Sequence, residues 1–415
     1  NPLLQMPGKV PGLTLQVSSG QPGSDPQIFM RGGTTSSPEK DAPLFIIDGM
    51  VSQGMRSLSD MNPGDIESVQ VLKDAAATAI YGARAANGII IIKTKSGKAG
   101  KPRVSFGYTY GIEDQAKRYQ FLSARDYIYV SRKNTMDYNK TNPDFYLTGG
   151  RYGMSTGNPH NSKNTLEFLD TYIQNYIQEY VDQLLQKEGW ETMTDPVTNK
   201  TLLFKGTDFQ DVTFNTGYKK QYDVNVSGGS DRGTYYLGLG HTNQDGIIAG
   251  TFYKNYNGLL NTTYKLSDKW SVNTNMSYQV RYSNAPSNDN NVLSRSVTMP
   301  PTYRLYYEDG TPAPGEGISS FRSRLHEVYY KERYTDIKVY RTTLQVGANW
   351  DIIPGLQFTP SFSWFTTEGK ENRFEAYNET NPNRNAAAAH NLNRHTQADA
   401  VLSDDKGIGS GHHFN

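Results

Sequence analysis

The chain has 415 residues, and its 42 Lys and Arg nearly balance 41 Asp and Glu, which gives a formal net charge of +1. This balance leaves no electrostatic footprint for nucleic acid, and the absence of Cys excludes a disulfide framework or a thiolate metal site. No stretch approaches the roughly 18 consecutive apolar residues of a transmembrane helix, which excludes a helical membrane protein. A β-barrel is not excluded, because its strands alternate lipid-facing and lumen-facing side chains.

Short strands alternate with tight turns between Pro43 and Lys95, a pattern that predicts a small, compact α+β unit. The strands are apolar, the turns contain Gly with Asp or Asn, and one Ala-rich segment is helical. The predicted strands are 44–47, 66–72 and 89–92, the turns are Asp48-Gly49, Asn62-Pro63-Gly64 and Asn87-Gly88, and the helical turn is 74–81.

Beyond this unit the sequence changes to long strands in which apolar and polar residues alternate. In residues 271–281, for example, Val272 and Met276 share one face, and Asn273 and Asn275 share the other. The alternation alone fits a membrane barrel and a soluble β-sandwich about equally well. Eight strands are predicted and a ninth begins near the end: 103–111, 219–228, 233–242, 251–266, 269–282, 337–351, 355–367, 394–403 and 412–415.

The lengths of the connections between these strands favour the barrel. Short and long connections alternate, as in outer-membrane barrels, which place short turns on one side and long loops on the other. A sandwich has no reason to place every long connection at one end. The short connections are 228–233, 266–269 and 353–355, and the long ones are 112–218, 243–251, 284–336 and 369–391. The residues then predicted to face lipid include Val272, Met276, Val280, Leu344 and Val346.

Two segments carry motifs in a fixed order. Residues 28–97 contain IFMRGG, PLFIIDG, NPGDIESVQVLKDA, AIYGARAANG and TKSG, and residues 207–250 contain TDFQD, VSGG and YYLGLG. These segments resemble the plug domain and the first barrel hairpin of the SusC/RagA-like TonB-dependent outer-membrane transporters. The resemblance implies a mostly β fold, in which a transmembrane antiparallel β-barrel, of 22 strands in the family, is occluded by a small α+β plug.

The resemblance also implies a division of the chain into two domains. Residues 1–101 would be the plug, with its start missing, and residues 102–415 the N-terminal part of the barrel, with about 8–9 strands. The TonB-binding segment, the N-terminal extension of the family and the remaining strands are expected to lie outside this chain. The long extracellular loops would be 112–218, 284–336 and 369–391.

Several plug residues are expected to have structural roles. Asp48 belongs to a turn, Asp74 caps the Ala-rich helix, and the charges of Arg31, Glu67 and Arg84 are expected to pair within the plug and against the barrel wall. These roles account for carboxylates that would otherwise suggest a glycosidase acid/base pair. The complete set of plug-motif residues is Arg31, Gly32, Asp48, Gly49, Glu67, Lys73, Asp74, Tyr81, Gly82, Arg84, Asn87 and Gly88.

A single amphipathic helix is predicted over residues 164–188 of the first long connection, because its apolar residues fall at helical spacing. Asn164 with Glu167 is typical of a helix start, and Gly189 of a helix end. The ordinary interpretation is that the apolar stripe packs on neighbouring loops. The alternative is a surface for a sugar ring or a partner protein, formed by tyrosines one turn apart: Tyr172, Tyr176 and Tyr180.

The resemblance implies active import of an oligosaccharide or an oligopeptide across the bacterial outer membrane. Its partners would be the TonB–ExbB–ExbD complex, membrane lipid and a SusD-like surface lipoprotein that acts as a lid, in a dimer of such pairs. The long loops and the plug would enclose a deep, Tyr-rich cavity. A siderophore receptor is the runner-up, and a non-transporting secreted adhesin or carbohydrate-binding protein is the alternative of another class. No catalytic, metal or cofactor motif is found.

Overall fold

The computed structural model describes residues 13–16, 20–24, 27–30, 43–52, 61–72, 81, 85, 87–139, 164–285, 296–307, 333–375, 387–404 and 410–414. Four β-sheets are present in these residues, and the largest is an antiparallel sheet of nine strands. None of the helices in the described ranges combines the length and the apolar character that a bilayer-crossing helix needs.

A four-stranded sheet, here called the plug sheet, has the strand order β4-β3-β6-β5. Its two central strands run parallel, and each outer strand pairs antiparallel with its neighbour. The first and second predicted strands are reproduced, and the third extends two residues further. The predicted helical turn lies almost wholly outside the described residues. The plug strands are β3 (Leu44–Ile47), β4 (Met50–Ser52), β5 (Ile66–Leu72) and β6 (Ile89–Thr94).

The central strands of the plug sheet are apolar on both faces because both faces are covered. Phe45, Ile90 and Ile92 belong to one buried cluster, and Ile46 and Ile89 belong to another on the opposite face. The run of isoleucines in β6 therefore forms the core of the plug. A separate antiparallel pair is formed by β1 (Leu13–Gln16) and β2 (Gln27–Met30).

The nine-stranded sheet, here called the wall, is a meander in which each strand pairs with its neighbours in sequence, except that β7 pairs with β11. The predicted mostly β, partial-barrel fold is therefore confirmed. The wall strands are β7 (Gly100–Glu113), β11 (Gly217–Gly229), β12 (Gly233–Asp245), β13 (Phe252–Ser267), β14 (Trp270–Ala285), β15 (Arg333–Ile353), β16 (Leu356–Glu375), β17 (Ala387–Asp404) and β18 (Ser410–Phe414).

Most wall strands are longer than predicted, because pairing continues past the residues in which apolar and polar side chains alternate. β15, for example, already begins at Arg333, where it pairs with Glu375. The long connections are correspondingly shorter and span 114–216, 286–332 and 376–386. Short turns lie between β11 and β12, β13 and β14, and β15 and β16, all at one end of the wall.

The wall has an apolar outer face and a polar inner face. Leu237, Leu260 and Met276 lie side by side on three neighbouring strands and are 36%, 36% and 44% exposed. Val272, Val280, Leu344 and Val346 have the same parity and lie on this outer face. The residues next to these in sequence point to the inner face. They form a polar row across the wall, which consists of Ser227, Tyr236, Asn261, Asn275 and Gln345.

Two rows of aromatic residues cross the outer face. The lower aromatic row, near the short turns, consists of Trp270, Trp350 and Phe358 in register, and the two Trp rings stack with centroids 4.8 Å apart. The upper aromatic row lies ten residues from the lower one along each strand. On β15, for example, Tyr340 is ten residues from Trp350, and their partners on β14, Val280 and Trp270, are also ten residues apart. Its members are Tyr108, Tyr222, His241, Tyr256 and Tyr340.

The connection between β7 and β11 folds into a small domain of helices and short strands. Strand β10 crosses its centre, where Leu202 and Phe204 enter one buried cluster and Leu203 enters another. The elements are α1 (Ala124–Asn139), β8 (Glu167–Phe168), α2 (Leu169–Asn175), α3 (Gln178–Lys187), β9 (Trp190–Thr194), β10 (Thr201–Lys205) and α4 (Phe209–Thr213).

The prediction of one helix over 164–188 is wrong. The first residues pair with β10 as strand β8, where Phe168 lies opposite Leu202, and Asn164 accepts a hydrogen bond from Leu166 N instead of capping a helix. The chain then leaves helical geometry at Tyr176, whose φ and ψ are −131° and 151°. Strand pairing has overridden the helical spacing of the apolar residues.

Candidate functional site: the plug-to-wall interface and the loop cap

Asp48 lies in the turn between β3 and β4, and its carboxylate reaches the wall. Asp48 and Gly49 have φ values of 49° and 87°, as in the type I′ turn that favours Asp-Gly. Asp48 Oδ1 accepts a hydrogen bond from Thr94 N (2.8 Å), and Oδ2 accepts from Thr94 Oγ1 (2.6 Å) and Asn275 Nδ2 (2.6 Å). A residue predicted to form a turn thus also joins two plug strands to wall strand β14.

Asp65 is a buried carboxylate where the plug meets β12. Its corner is built locally, since Asn62 Oδ1 accepts from Gly64 N and Asn62 O from Asp65 N, each at 3.0 Å. Asp65 is 3% exposed, and the hydroxyl of Tyr236 donates to its Oδ1 at 2.8 Å. Burial raises the pKa of Asp65, and the hydrogen bond from Tyr236 offsets this only in part.

Two inward-facing glycines of β12 make room for this corner. A Cβ on Gly238 would lie 2.1 Å from Asp65 Oδ1, and a Cβ on Gly240 would lie 2.8 Å from Asn62 Nδ2. The alternating leucines, Leu237 among them, point outward. The Leu-Gly-Leu-Gly run therefore gives the wall an apolar outside and a shallow trough inside, into which the plug fits.

Further hydrogen bonds join the end of β6 to the wall. Asn261 Nδ2 donates to Thr94 Oγ1 and to Lys95 O, both at 2.7 Å. Since Thr94 Oγ1 in turn donates to Asp48, which also accepts from Asn275, two plug and two wall side chains form one connected network. The plug is thus held on the wall by hydrogen bonds between its carboxylates or hydroxyls and neutral side chains of the inner face.

A cavity of about 90 Å³ lies at this junction, lined in part by Asp48, Asp65, Thr94, Asn275 and Arg341. This volume has room for a few water molecules, whereas pockets for small ligands usually measure about 300–1,000 Å³. The cavity is therefore a gap between plug and wall. Among the residues that the structure describes, no group of three or more His, Cys, Asp or Glu is placed to hold a metal ion.

The described plug-motif residues have local structural contacts. Glu67 pairs with Lys93 at 3.1 Å, and both side chains are partly exposed. Gly88 has φ 89°, and its carbonyl accepts from Leu44 N at 3.0 Å, while Tyr81 packs beside the buried Ile46 cluster. Asn87 lies in the turn before β6. The remaining predicted residues lie outside the described ranges: Arg31, Gly32, Lys73, Asp74, Gly82 and Arg84.

The three candidate tyrosines form a ladder of rings, although they do not share one helix. Tyr172 is 1% exposed and packs on Trp190. Tyr176 is 41% exposed; its ring lies 4.6 Å from that of Tyr172 and 5.7 Å from that of Tyr180. The surface available to a ligand or partner is therefore Tyr176 with the half-buried Tyr180, and the neighbouring Ile177 is 70% exposed.

A buried ion pair holds the domain between β7 and β11 together. Arg132 and Asp195 have fully buried side chains and form a bidentate contact, in which Arg132 Nε lies 2.9 Å from Asp195 Oδ1. The hydroxyl of Thr198 also donates to Asp195 at 2.6 Å. Burial raises the pKa of Asp195, but the hydrogen bonds from Arg132 and Thr198 outweigh this and leave the pKa below its usual value.

The described parts of two long connections (114–139, 164–216 and 296–307) pack together at the end of the wall opposite the short turns, and we call them the loop cap. Thr165 N donates to Thr302 O at 2.8 Å, so the connections 114–216 and 286–332 are joined. Phe209, Ile248 and Tyr303 form a buried cluster that includes the connection between β12 and β13.

Sequence reasoning missed most residues of the plug-to-wall interface. Tyr236 and Gly238 lie in the recognised YYLGLG motif, but no role was assigned to them. Asn275 was placed correctly on the inner face, but its bond to Asp48 was not foreseen. The available signal was the set of polar residues on the inner face of the wall strands, which includes Asn261. This signal does not extend to Asn62, which lies in the plug.

Comparisons with known proteins agree with this architecture. Residues 3–89 match the family model for the TonB-dependent receptor plug domain. Over 304 residues the chain is 28% identical to TonB-dependent receptor SusC of Bacteroides thetaiotaomicron, with 71% of this chain and 24% of SusC covered. Over 385 residues it is 25% identical to TonB-dependent receptor P3 of Formosa agariphila, with 89% and 31% covered.

The fold is similar to that in the structure of the RagAB peptide transporter, with a TM-score of 0.67 and 22% identity over 96% of this chain and 42% of that one. The chain spans 24% and 31% of the two curated relatives, both of which are named as TonB-dependent receptors. The resemblance predicted from the motifs is confirmed: the chain is similar in sequence to SusC and to another TonB-dependent receptor, its residues 3–89 match the plug-domain model, and its fold is that of the corresponding part of the RagAB peptide transporter.

Proposed function

We propose that this chain is part of a transporter in the bacterial outer membrane that imports a polar oligomer, an oligosaccharide or an oligopeptide, with energy supplied through TonB. The observation that carries the proposal is the seating of a compact plug against the polar inner face of a wall whose outer face is apolar. Residues 1–101 would be the plug and 102–415 the wall with its long loops.

The spacing of the aromatic rows supports a transmembrane wall. Ten positions in β15 separate Trp350 from Tyr340, which corresponds to about 33 Å along a strand and about 25 Å along the axis of a barrel whose strands tilt by roughly 40°. An outward apolar band about 25 Å tall between aromatic girdles is typical of outer-membrane barrels. The loop cap would then lie on the extracellular side.

The nature of the contacts supports a plug that can be displaced. The apolar residues of the plug, such as Phe45 and Ile90, are buried in its own core, while Asp48 and Asp65 bind the wall. Water can replace such hydrogen bonds, each of which contributes about 0.5–3 kcal/mol net. Pulling through TonB would therefore break the seating of the plug without exposing its core.

The composition of the loop cap supports a polar oligomer as the cargo. Aromatic faces stack on the apolar faces of sugars or on peptide side chains, and amides supply hydrogen bonds. Exposed tyrosines of the cap include Tyr119 (56%), Tyr129 (45%), Tyr176 (41%) and Tyr306 (43%). We include in the proposal the Tyr-rich cavity between the loops and the plug, closed by a SusD-like lipoprotein. The peptide cargo is the one named for the RagAB peptide transporter, whose fold is similar. The oligosaccharide cargo and the SusD-like lid rest on the resemblance of the sequence motifs to the SusC/RagA-like family.

Uptake of the cargo by cells should need TonB and the proton-motive force, whereas equilibrium binding should not. Growth on the cargo that persisted after deletion of TonB would refute active import. High-affinity binding of a siderophore by the purified transporter would refute the assignment of an oligomeric cargo.

A further inference from the structure

A row of lysines on the outer face of the wall has no part in the proposed import. Each lysine lies two residues beyond the upper aromatic row, on the side of the loop cap. Neighbouring strands are about 4.8 Å apart, so the lysines on alternate strands recur about every 10 Å. This lysine row consists of Lys220 on β11, Lys254 on β13, Lys338 on β15 and Lys370 on β16, with Asn243 and Tyr282 between them.

Two of these lysines line a groove of about 680 Å³ on the same face, together with Phe252, Tyr256 and Tyr282. The ammonium group of Lys338 lies 4.6 Å from the ring centroid of Tyr282, and that of Lys254 lies 5.3 Å from the centroid of Phe252. Cation–π contacts of this kind hold an ammonium group in place without neutralising its charge. The groove thus combines ordered positive charges with aromatic walls.

The patch combines four lysines with three carboxylates on the same face, so its charge is positive. Glu368 pairs with Lys370 at 3.2 Å, Asp336 lines the groove, and Asp245 lies on β12 opposite Phe252. In the described part of the chain, neither Lys254 nor Lys338 forms an ion pair with a carboxylate. These two ammonium groups are therefore available to an external anion.

The position of the lysine row along the barrel axis indicates which anion it meets. This step rests on the proposed location of the wall in the outer membrane. Lys338 lies twelve positions from Trp350 in β15, about 40 Å along the strand and about 30 Å along the barrel axis. The apolar band is about 25 Å tall, so the lysines lie just beyond it, on the side of the long loops. Lipid headgroups of the outer leaflet occupy this level.

We propose that the lysine row and its groove bind the phosphate groups of an anionic lipid headgroup in the outer leaflet. Ammonium groups form strong, charge-assisted hydrogen bonds with phosphate oxygens, and basic clusters beside a membrane attract anionic lipids. Below the lysines, Tyr256 and Val280 offer an apolar surface to the acyl chains. The site would hold lipid around the wall and has no role in cargo selection.

The test compares Lys254→Gln/Lys338→Gln with wild type and with Lys187→Gln/Lys269→Gln, which removes the same charge from exposed lysines in α3 and in the turn after β13. Each full-length protein is purified from outer membranes, stripped of lipid and titrated with bis-phosphorylated lipid A or with the dephosphorylated lipid. Each lysine near a charged membrane contributes enough that losing two should weaken lipid A binding about thirtyfold. The control should bind like wild type, and cargo uptake should be equal in all three.

Equal affinity of Lys254→Gln/Lys338→Gln and wild type for lipid A would overturn the proposal, as would equal binding of dephosphorylated lipid A by wild type. Displacement of lipid A by millimolar inorganic phosphate would show a site for free phosphate and would also overturn it. A wrong assignment of the membrane location can be distinguished from a wrong assignment of the lipid site. In that case the protein would be missing from the outer-membrane fraction, and both proposals would be refuted.

Discussion

Replacement of Gly238 by Ala should loosen the plug from the wall. The added Cβ would lie 2.1 Å from Asp65 Oδ1 and 2.8 Å from Asp65 Cγ, so the carboxylate must move. Moving it breaks the 2.8 Å hydrogen bond from Tyr236. Overpacking costs about 1–3 kcal/mol, and the lost hydrogen bond to a charged group adds a cost of the same order. Local opening of this corner should therefore become at least tenfold more frequent.

Hydrogen exchange read by mass spectrometry measures this opening directly. The amide of Asp65, which donates to Asn62 O, and the amide of Lys95, which donates to Asp65 O, should exchange faster in Gly238→Ala. Gly258→Ala is the matched control, because a Cβ there would meet Leu239 at an ordinary 3.6 Å. Unchanged protection in Gly238→Ala, or an equal loss in Gly258→Ala, would refute the assignment of the trough.

Three further predictions concern charge and facing. Burial raises the pKa of Asp65 in the folded state. The free energy of unfolding should therefore fall as pH rises from the unfolded pKa of about 3.9 through the raised pKa of the folded state. Asp65→Asn should remove this contribution of Asp65 to the pH dependence of unfolding, and an unchanged dependence would contradict the assignment. Arg132→Met should destabilise the loop cap by about 3–5 kcal/mol, because it leaves the buried carboxylate of Asp195 without its cation. Arg125→Met, which breaks an exposed ion pair, should cost less than about 1 kcal/mol. Equal effects of the two variants on denaturant unfolding would contradict this difference. Val346→Arg should weaken assembly into vesicles by about 2–4 kcal/mol, and Ser361→Arg on the inner face should assemble better; the reverse order in a folding titration would show that the faces are exchanged.

The sequence predicted well those features that depend on local pattern. Alternation in residues 271–281 gave the faces of β14, because the side-chain period of a strand is two. The Asp48-Gly49 turn was also predictable, since this dipeptide favours the positive φ values observed. In both cases the residues that decide the structure are neighbours in sequence.

Contacts between distant residues were not predictable in the same way. Asp65 and Tyr236 are 171 positions apart, and no local pattern links them. The helical spacing of residues 164–188 was misleading because Phe168 pairs with Leu202 in a strand, so tertiary packing overrode propensity. Burial of Tyr172 likewise depends on Trp190, which belongs to a different element.

The most direct test of the central claim, that import requires the plug to leave its seat on the wall, is a reversible cross-link between them. A Cβ on Gly238 would lie 2.8 Å from the position of Asp65 Cγ, which a Cys sulfur would occupy, so Asp65→Cys with Gly238→Cys is placed to form a disulfide. This chain has no other Cys to compete. Oxidised cells should lose TonB-dependent uptake of the cargo and regain it on reduction, while each single Cys variant imports under both conditions. Uptake at the wild-type rate by the fully cross-linked protein would contradict the account.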